Sequence, residues 1–162
     1  MIERTLREKA TQVLAVFRAR GLKVATAESC TGGLVAGALT DIAGSSDVFE
    51  RGFVVYSNEA KTELLGVPAA LIDRHGAVSD VVAAAMAEGA LAHSHADLAV
   101  SVTGIAGPGG GSEQKPVGTV CIAVDDGESR VRTFRFPGGR EMVKAMSANW
   151  AIDMLRRALI KS

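Results

Sequence analysis

Apolar and polar residues follow one another along the chain in blocks that predict helices and strands in regular succession. A first helix ending at Gly21 is predicted by apolar residues that recur with the spacing of one helix face. These residues are Ile2, Leu6, Val13, Leu14 and Phe17. Short apolar runs bounded by turn residues predict five strands, at 22–28, 51–56, 97–103, 117–125 and 129–136.

Turn and cap residues mark several ends of the predicted elements. Gly44 is expected to end the helix after the first strand, and Asn58 is a plausible N-cap of a short helix after the second. Pro68 stands at the favoured first position of a further short helix. Ser79 is expected to cap an alanine-rich helix over 80–94. Asp-Gly at 126–127 predicts a hairpin between the last two strands.

A final helix is predicted from about 139 to 160. The face of this helix that we expect to be buried carries Met142, Val143, Met146, Trp150, Leu155 and Leu159. The element order is then α-β-α-β-α-α-β-β-β-α, in which the early alternation predicts parallel strands with helices on both faces. We therefore expect residues 1–162 to form one domain, a three-layer α/β/α sandwich around a five-stranded mixed, mostly parallel sheet.

Charge is balanced overall but is unevenly distributed along the chain. Residues 1–20 hold five Lys or Arg against two Asp or Glu, and residues 130–162 hold eight against two. The basic ends either attract an anionic ligand or form ordinary solvated helix faces. A formal net charge of zero argues against a general nucleic-acid binder.

Targeting signals and metal motifs are not evident in the sequence. The charged N-terminus lacks the apolar core of a signal peptide, and no apolar stretch is long enough for a membrane helix. Cys30 and Cys121 lie far apart and suggest neither a zinc site nor a disulfide framework. We therefore expect a cytoplasmic protein that has no membrane partner and needs no metal or cofactor.

The most informative segment is TAESCTGG at 26–33, which runs from a strand end into a helix start. Ser29 there would project from the carboxyl edge of the sheet, where helix N–H groups can stabilise an oxyanion. Ser29 would otherwise be a simple helix cap. Gly32 allows a substrate or another backbone to come close. Cys30 is a rival nucleophile, and Glu28 is expected on the other face of the strand, where it buttresses the turn.

A serine nucleophile needs a base, and Lys61 is the best-placed candidate. The three histidines lie away from the predicted strand ends, whereas Lys61 follows the second strand at the same sheet edge as Ser29. Its pKa would have to lie well below the ordinary value of about 10.4. Tyr56, which ends the second strand, could relay or orient the proton. The alternative is that Lys61 is an exposed helix lysine.

The glycine-rich loop at 104–116 resembles a phosphate cradle without matching a known phosphate motif. It is either a nucleotide-binding loop or a flexible lid. Thr103 and Gly104, at the end of the third strand, belong to the same sheet edge. Arg140, at the start of the last helix, can pair with a phosphate or be simply solvated.

Five segments in order resemble the CinA C-terminal domain family over nearly the whole chain. They are TAESCTGG (26–33), DIAGSSDVFERGFVVYSNEAK (41–61), GAVS (76–79), VTGIAGPGG (102–110) and KPVGTV (115–120). The resemblance implies an α/β/α mixed-sheet fold. It also implies hydrolysis of nicotinamide mononucleotide to nicotinic acid mononucleotide and ammonia, in pyridine nucleotide salvage.

Residue roles follow from the same resemblance. The nucleophile falls on Ser29, the general base on Lys61 and a motif tyrosine on Tyr56, whereas Thr31, Thr103, Gly104 and Arg140 match pocket segments less closely. In the expected mechanism, the N–H groups of Cys30 and Thr31 hold the oxyanion. A non-catalytic nucleotide-binding module and a Cys30-dependent amidase remain alternatives, and a homodimer is plausible.

Overall fold

The computed structural model describes residues 2–160. Its elements are α1 (Ile2–Arg20), β1 (Val24–Glu28), α2 (Leu34–Thr40), a 3₁₀ helix (Ser45–Asp47), β2 (Phe49–Val54), α3 (Asn58–Leu65), α4 (Ala69–His75), α5 (Asp80–Ala92), β3 (Leu98–Gly104), β4 (Thr119–Asp125), β5 (Ser129–Arg135) and α6 (Arg140–Ile160). The strands follow the predicted order, but three helices, α3, α4 and α5, stand between β2 and β3 where the predicted order has two, and the 3₁₀ helix was not predicted.

The five strands form one mixed sheet in the order β2-β1-β3-β4-β5. β1 pairs in parallel with β2 and β3, whereas β4 runs antiparallel to both β3 and β5. Only β4 therefore runs against the others. Glu28 at the end of β1 lies beside Val54 of β2 and Val102 of β3, so the carboxyl ends of these strands meet at one edge.

Helices cover both faces of the sheet and enclose two main apolar cores. A smaller cluster joins α5 to β4 and consists of Ala83, Ala87, Cys121 and Ala123. The larger core joins α1, α2 and α6 to strand residues such as Val100 and Ile122. On the opposite face, α3, α4 and α5 pack against Ala25, Ala27 and Ala99, whose short side chains let the helices approach closely. The predicted α/β/α sandwich is thus confirmed. No helix within residues 2–160 is long and apolar enough to cross a membrane.

Several predicted element ends are displaced by a few residues. β2 spans Phe49–Val54 rather than 51–56, and β1 begins at Val24 rather than at 22. Asp41 is the C-cap of α2, so Gly44 does not end that helix but precedes the 3₁₀ helix. These shifts follow from local backbone hydrogen bonds, which the apolar pattern does not encode.

Cap predictions are partly correct. Ser79 caps α5 by accepting a hydrogen bond from the N–H of Val82 at 3.3 Å, as predicted. Ser57, not Asn58, caps α3, because its hydroxyl accepts from an N–H of the first helical turn. Pro68 is the N-cap of α4 rather than its first residue. Met142 was predicted in the core but is 42% exposed.

Candidate active site

The fold brings the side chains of Ser29 and Lys61 together at the carboxyl edge of the sheet. Ser29 directly follows β1, and Lys61 lies one turn into α3, which follows β2. The Nζ atom of Lys61 lies 3.0 Å from the Oγ atom of Ser29. Lys61 is only 1% exposed and Ser29 is 8% exposed. Hydroxyl and amine are thus within hydrogen-bond distance and shielded from bulk water.

The amine of Lys61 is held by backbone carbonyls and has no ion-pair partner among the described residues. Its Nζ lies 3.0 Å from the carbonyl oxygen of Val55, 3.2 Å from that of Tyr56 and 3.4 Å from that of Ser57. Burial lowers the pKa of Lys61 below its ordinary value of 10.5, against the opposing influence of Cys30 and Glu59. The shift is towards the neutral amine, the form whose lone pair can accept the hydroxyl proton of Ser29.

Glu28 anchors the turn that carries Ser29. Its carboxylate is completely buried and accepts hydrogen bonds from the Thr31 hydroxyl at 2.6 Å, the Val35 N–H at 2.8 Å and the Ala36 N–H at 3.0 Å. It therefore satisfies the N-terminal N–H groups of α2, which the N-cap residue Gly33 cannot do with a side chain. The sequence indicated a buttress, but the carboxylate is also the helix cap.

Two backbone donors beside Ser29 are left without backbone partners. In the turn after β1, the N–H of Gly32 donates to the carbonyl of Ser29, and the next turn bond begins at Leu34. Within residues 2–160, the N–H groups of Cys30 and Thr31 have no backbone acceptor. Cys30 lines the adjacent cavity and Thr31 does not, so the Cys30 N–H is the better placed of the two to meet an anionic oxygen.

A cavity of about 210 Å³ opens at this point. Its lining residues are Ser29, Cys30, Tyr56, Asn58, Lys61, Ala77, Val78, Thr103, Gly104, Ala106 and Arg140. Of the predicted site residues, Thr31 and Gly32 are absent from this lining, because the Thr31 hydroxyl turns to Glu28. Asn58 was expected to be a helix cap, and no role was expected for Ala77 and Val78. The GAVS segment was the one available signal for the latter two.

Arg140 and Tyr56 meet at the mouth of the cavity. Arg140 donates to the Gly107 carbonyl at 2.8 Å and to the Tyr56 hydroxyl at 3.2 Å. The Tyr56 side chain is 62% exposed, and it is the Tyr56 carbonyl that contacts Lys61. Arg140 therefore ties the loop after β3 to the loop after β2. The cavity lining contains the Arg140 guanidinium and no carboxylate, which suits a ligand with an anionic group.

Thr103 and Gly104 shape the wall opposite Lys61. The Thr103 hydroxyl donates to the Ala77 carbonyl at 2.9 Å. A Cβ atom on Gly104 would lie 2.7 Å from a methyl of Val120 and 3.1 Å from the Cys30 sulfur, so a side chain does not fit there. Burial raises the pKa of the Cys30 thiol to about 12, which keeps it protonated and argues against Cys30 as the nucleophile.

The histidines lie outside this cavity, as their positions in the sequence indicated. The ring of His93 contacts the Gly89 carbonyl at 2.8 Å at the end of α5, and the carbonyl of His75 accepts from Lys115. His95 follows α5, and its N–H donates to Glu50. Lys61 is therefore the one titratable side chain that hydrogen-bonds to the Ser29 hydroxyl in the described part of the chain.

Comparison with known proteins agrees with this fold. The family model for the CinA C-terminal domain matches residues 6–159. The chain belongs to the CinA C-terminal domain family. A CinA-like protein from Mycobacterium marinum is 60% identical over 139 residues, which are 85% of this chain and 33% of the relative.

A putative competence-damage inducible protein from Caldicellulosiruptor bescii is 51% identical over 98% of this chain and 38% of its own length. The chain thus spans about a third of the curated relatives it matches.

Solved structures share the fold over almost their full length. The competence/damage inducible protein CihA from Agrobacterium tumefaciens superposes with a TM-score of 0.93 at 48% identity, covering 94% of both chains. The competence damage-inducible protein A (ComA) from Klebsiella pneumoniae also gives 0.93, at 37% identity, covering 96% of this chain and 97% of the other. These CinA proteins therefore support the three-layer fold.

Proposed function

We propose that this chain is an amidohydrolase that converts nicotinamide mononucleotide to nicotinic acid mononucleotide and ammonia through an acyl-enzyme on Ser29. The observation that carries the proposal is the 3.0 Å contact between the Ser29 hydroxyl and the amine of Lys61, which is buried and has no ion-pair partner among the described residues. A neutral amine in this position is a general base, and a hydroxyl beside a general base is a nucleophile. The reaction would serve pyridine nucleotide salvage.

Acylation forms one bond and breaks another. Neutral Lys61 takes the proton of the Ser29 hydroxyl as the oxygen attacks the carboxamide carbon. The resulting oxyanion accepts hydrogen bonds from the N–H groups of Cys30 and Thr31. The C–N bond then breaks while the Lys61 ammonium returns its proton to the leaving nitrogen. Ammonia departs and Lys61 is neutral again, beside the Ser29 ester.

Deacylation repeats these steps with water as the nucleophile. Lys61 takes a proton from the water as its oxygen attacks the ester carbon, and the same N–H groups hold the second oxyanion. The bond to Ser29 breaks, and Lys61 returns the proton to the Ser29 oxygen. The acid product loses its own proton to solvent, and the carboxylate leaves.

The character of the cavity supports a mononucleotide amide as substrate. The Arg140 guanidinium at the mouth can pair with a phosphate, and no carboxylate in the lining would repel it. Asn58 lies in the lining beside Tyr56, where its amide can bind substrate hydroxyls. The positive pyridinium of the substrate withdraws electrons from the carboxamide. That the substrate carries nicotinamide rather than another amide rests on the family resemblance.

Ammonia release from nicotinamide mononucleotide tests the proposal. We expect Ser29→Ala and Lys61→Met each to lower kcat by at least about a thousandfold, since nucleophile and base act as a unit. Lys23→Met is the matched control, because this exposed lysine donates to the Asp47 carbonyl at 3.2 Å, away from the cavity. Circular dichroism verifies that all three variants are folded.

Two results would overturn the assignment. Near-normal turnover in Ser29→Ala would exclude this residue as the nucleophile. Saturable binding of the mononucleotide by the unaltered protein without any ammonia would instead identify a non-catalytic nucleotide-binding module. Binding by calorimetry and ammonia release are therefore measured on the same preparation.

A further inference from the structure

Cations from the two basic ends of the chain other than Arg140, which lines the active-site cavity, meet on one surface of the fold. α1 packs along α6, and three cations surround the buried Asp153 carboxylate. Lys9 lies 3.5 Å from it, Arg156 3.0 Å and Arg157 2.7 Å. Because one carboxylate neutralises one charge, this cluster carries excess positive charge.

A fourth cation joins this cluster through Trp150. The guanidinium carbon of Arg132 lies 4.8 Å from the indole centroid, and that of Arg157 lies 5.4 Å from it. Arg132 also lies 4.9 Å from the ring centroid of Phe134 and pairs with no carboxylate among the described residues. Two guanidinium groups on one indole repel each other, and a bound anion would relieve that repulsion.

A cavity of about 450 Å³ lies beside this cluster, between the end of α6 and the strands β4 and β5. It is more than twice as large as the cavity at Ser29. Its walls include the apolar side chains of Val124, Met154, Ala158 and Ile160, and its rim is formed by Arg130, Arg132 and Arg157. The Val131 side chain packs on the other face of the sheet. An apolar cavity with a cationic rim fits a ligand that has an apolar group flanked by carboxylates.

β5, which forms one side of this cavity, is the last strand of the sheet. Its outer edge has no strand partner within residues 2–160, so a row of backbone groups is open to pairing. Pairing with a second β5 would bring arginines opposite arginines, which is unfavourable. The same arginines favour an added strand that carries acidic side chains.

We propose that this surface binds an acidic, extended segment of a partner protein, which adds to the outer edge of β5. One apolar side chain of the segment enters the cavity, and its carboxylates pair with Arg132 and Arg157. Strand addition supplies the main-chain hydrogen bonds, and the cavity and its rim supply specificity. The site lies apart from Ser29 and does not depend on the proposed amidase activity.

Trp150 is the single tryptophan of the chain and reports binding directly. The probe is a synthetic peptide of seven residues, matching the length of β5, with valines in the centre and glutamates at both ends. We expect a saturable change in Trp150 fluorescence that weakens as salt is added.

Paired variants test the residues that the proposal names. The double variant Arg132→Gln and Arg157→Gln should weaken peptide binding by at least about tenfold, the loss expected when charged partners are removed. Arg74→Gln, at an exposed arginine of α4, should bind as the unaltered protein does. Ser29→Ala should also bind normally, which separates this result from the amidase test.

Modified peptides distinguish strand addition from simple charge attraction. N-methylation of alternate peptide nitrogens removes the donors that a strand partner needs, so binding should be lost. Two further probes, ATP and a glutamate peptide that has no valines, should each bind at least about tenfold more weakly than the original peptide, because neither fills the apolar cavity. The proposal would be overturned if ATP, the glutamate peptide or the N-methylated peptide bound as tightly as the original peptide. It would also be overturned if the original peptide caused no saturable change in Trp150 fluorescence.

Discussion

The amine of Lys61 links the burial of a single residue to the pH dependence of the whole reaction. Burial lowers its pKa below 10.5, and only the neutral form can take the Ser29 proton. We therefore expect kcat to rise with pH through an inflection below that value and then to level off. Initial rates of ammonia release across a pH series measure this inflection.

The same shift predicts the sign of a stability effect. Because the folded pKa of Lys61 is depressed, the unfolded chain binds more protons between the folded pKa and 10.5. The contribution of Lys61 to the free energy of unfolding should therefore increase with pH in this window. Lys61→Met removes that contribution, so its denaturation series serves as the reference. A rate of ammonia release that does not vary with pH would contradict a role of Lys61 as a base with a lowered pKa.

At single residues, the sequence predicted positions better than side-chain directions. Ser29 and Lys61 were placed together because each follows a parallel strand, and parallel strands end at one sheet edge. Where the Thr31 hydroxyl points depends on the turn after β1, and there it donates to Glu28. The contact of the Tyr56 phenol with Arg140 joins residues far apart in sequence, and no local pattern encodes such a contact.

The position of α3, and with it Lys61, depends on a close contact with α5. A Cβ atom on Gly89 of α5 would lie 2.1 Å from the Leu65 carbonyl oxygen at the end of α3. We expect Gly89→Ala to lower the free energy of unfolding by about 1–3 kcal/mol, the usual range for overpacking, and to lower kcat. Urea denaturation and the ammonia assay measure the two effects.

Gly37→Ala is the matched control for this substitution. Gly37 lies in α2, and a Cβ atom there would meet nothing within 4 Å. Alanine should therefore stabilise the protein by up to about 1 kcal/mol through helix propensity. If Gly89→Ala were equally stabilising, propensity would outweigh the contact, and the close approach of α3 and α5 would not position Lys61.

At the scale of elements, apolar spacing predicted the number and order of the strands and the positions of the main helices, because burial decides these. It predicted their ends less well. The cap of α3 illustrates the reason, since Ser57 and Asn58 are both good cap residues. The choice between them depends on which side chain reaches the N–H of Ala60, and that is a property of the folded turn.

On the scale of the whole molecule, one sheet separates two apolar cores and is shared by both. β1 and β3 contribute side chains to each core, with Val24 and Val100 on one side and Ala25 and Ala99 on the other. Loss of either helix layer would expose one whole face of these central strands. The two helix layers should therefore unfold together.

Two probes test this cooperativity, because they report on different parts of the molecule. Trp150 packs against the core of α1, α2 and α6, whereas far-ultraviolet circular dichroism reports on the helices of both layers. We expect the two signals to give the same urea midpoint, as in a two-state transition. A dichroism change that precedes the Trp150 change would mean that α3, α4 and α5 detach first. Lys61 would then leave Ser29 before the sheet unfolds, and activity would be lost at the earlier midpoint.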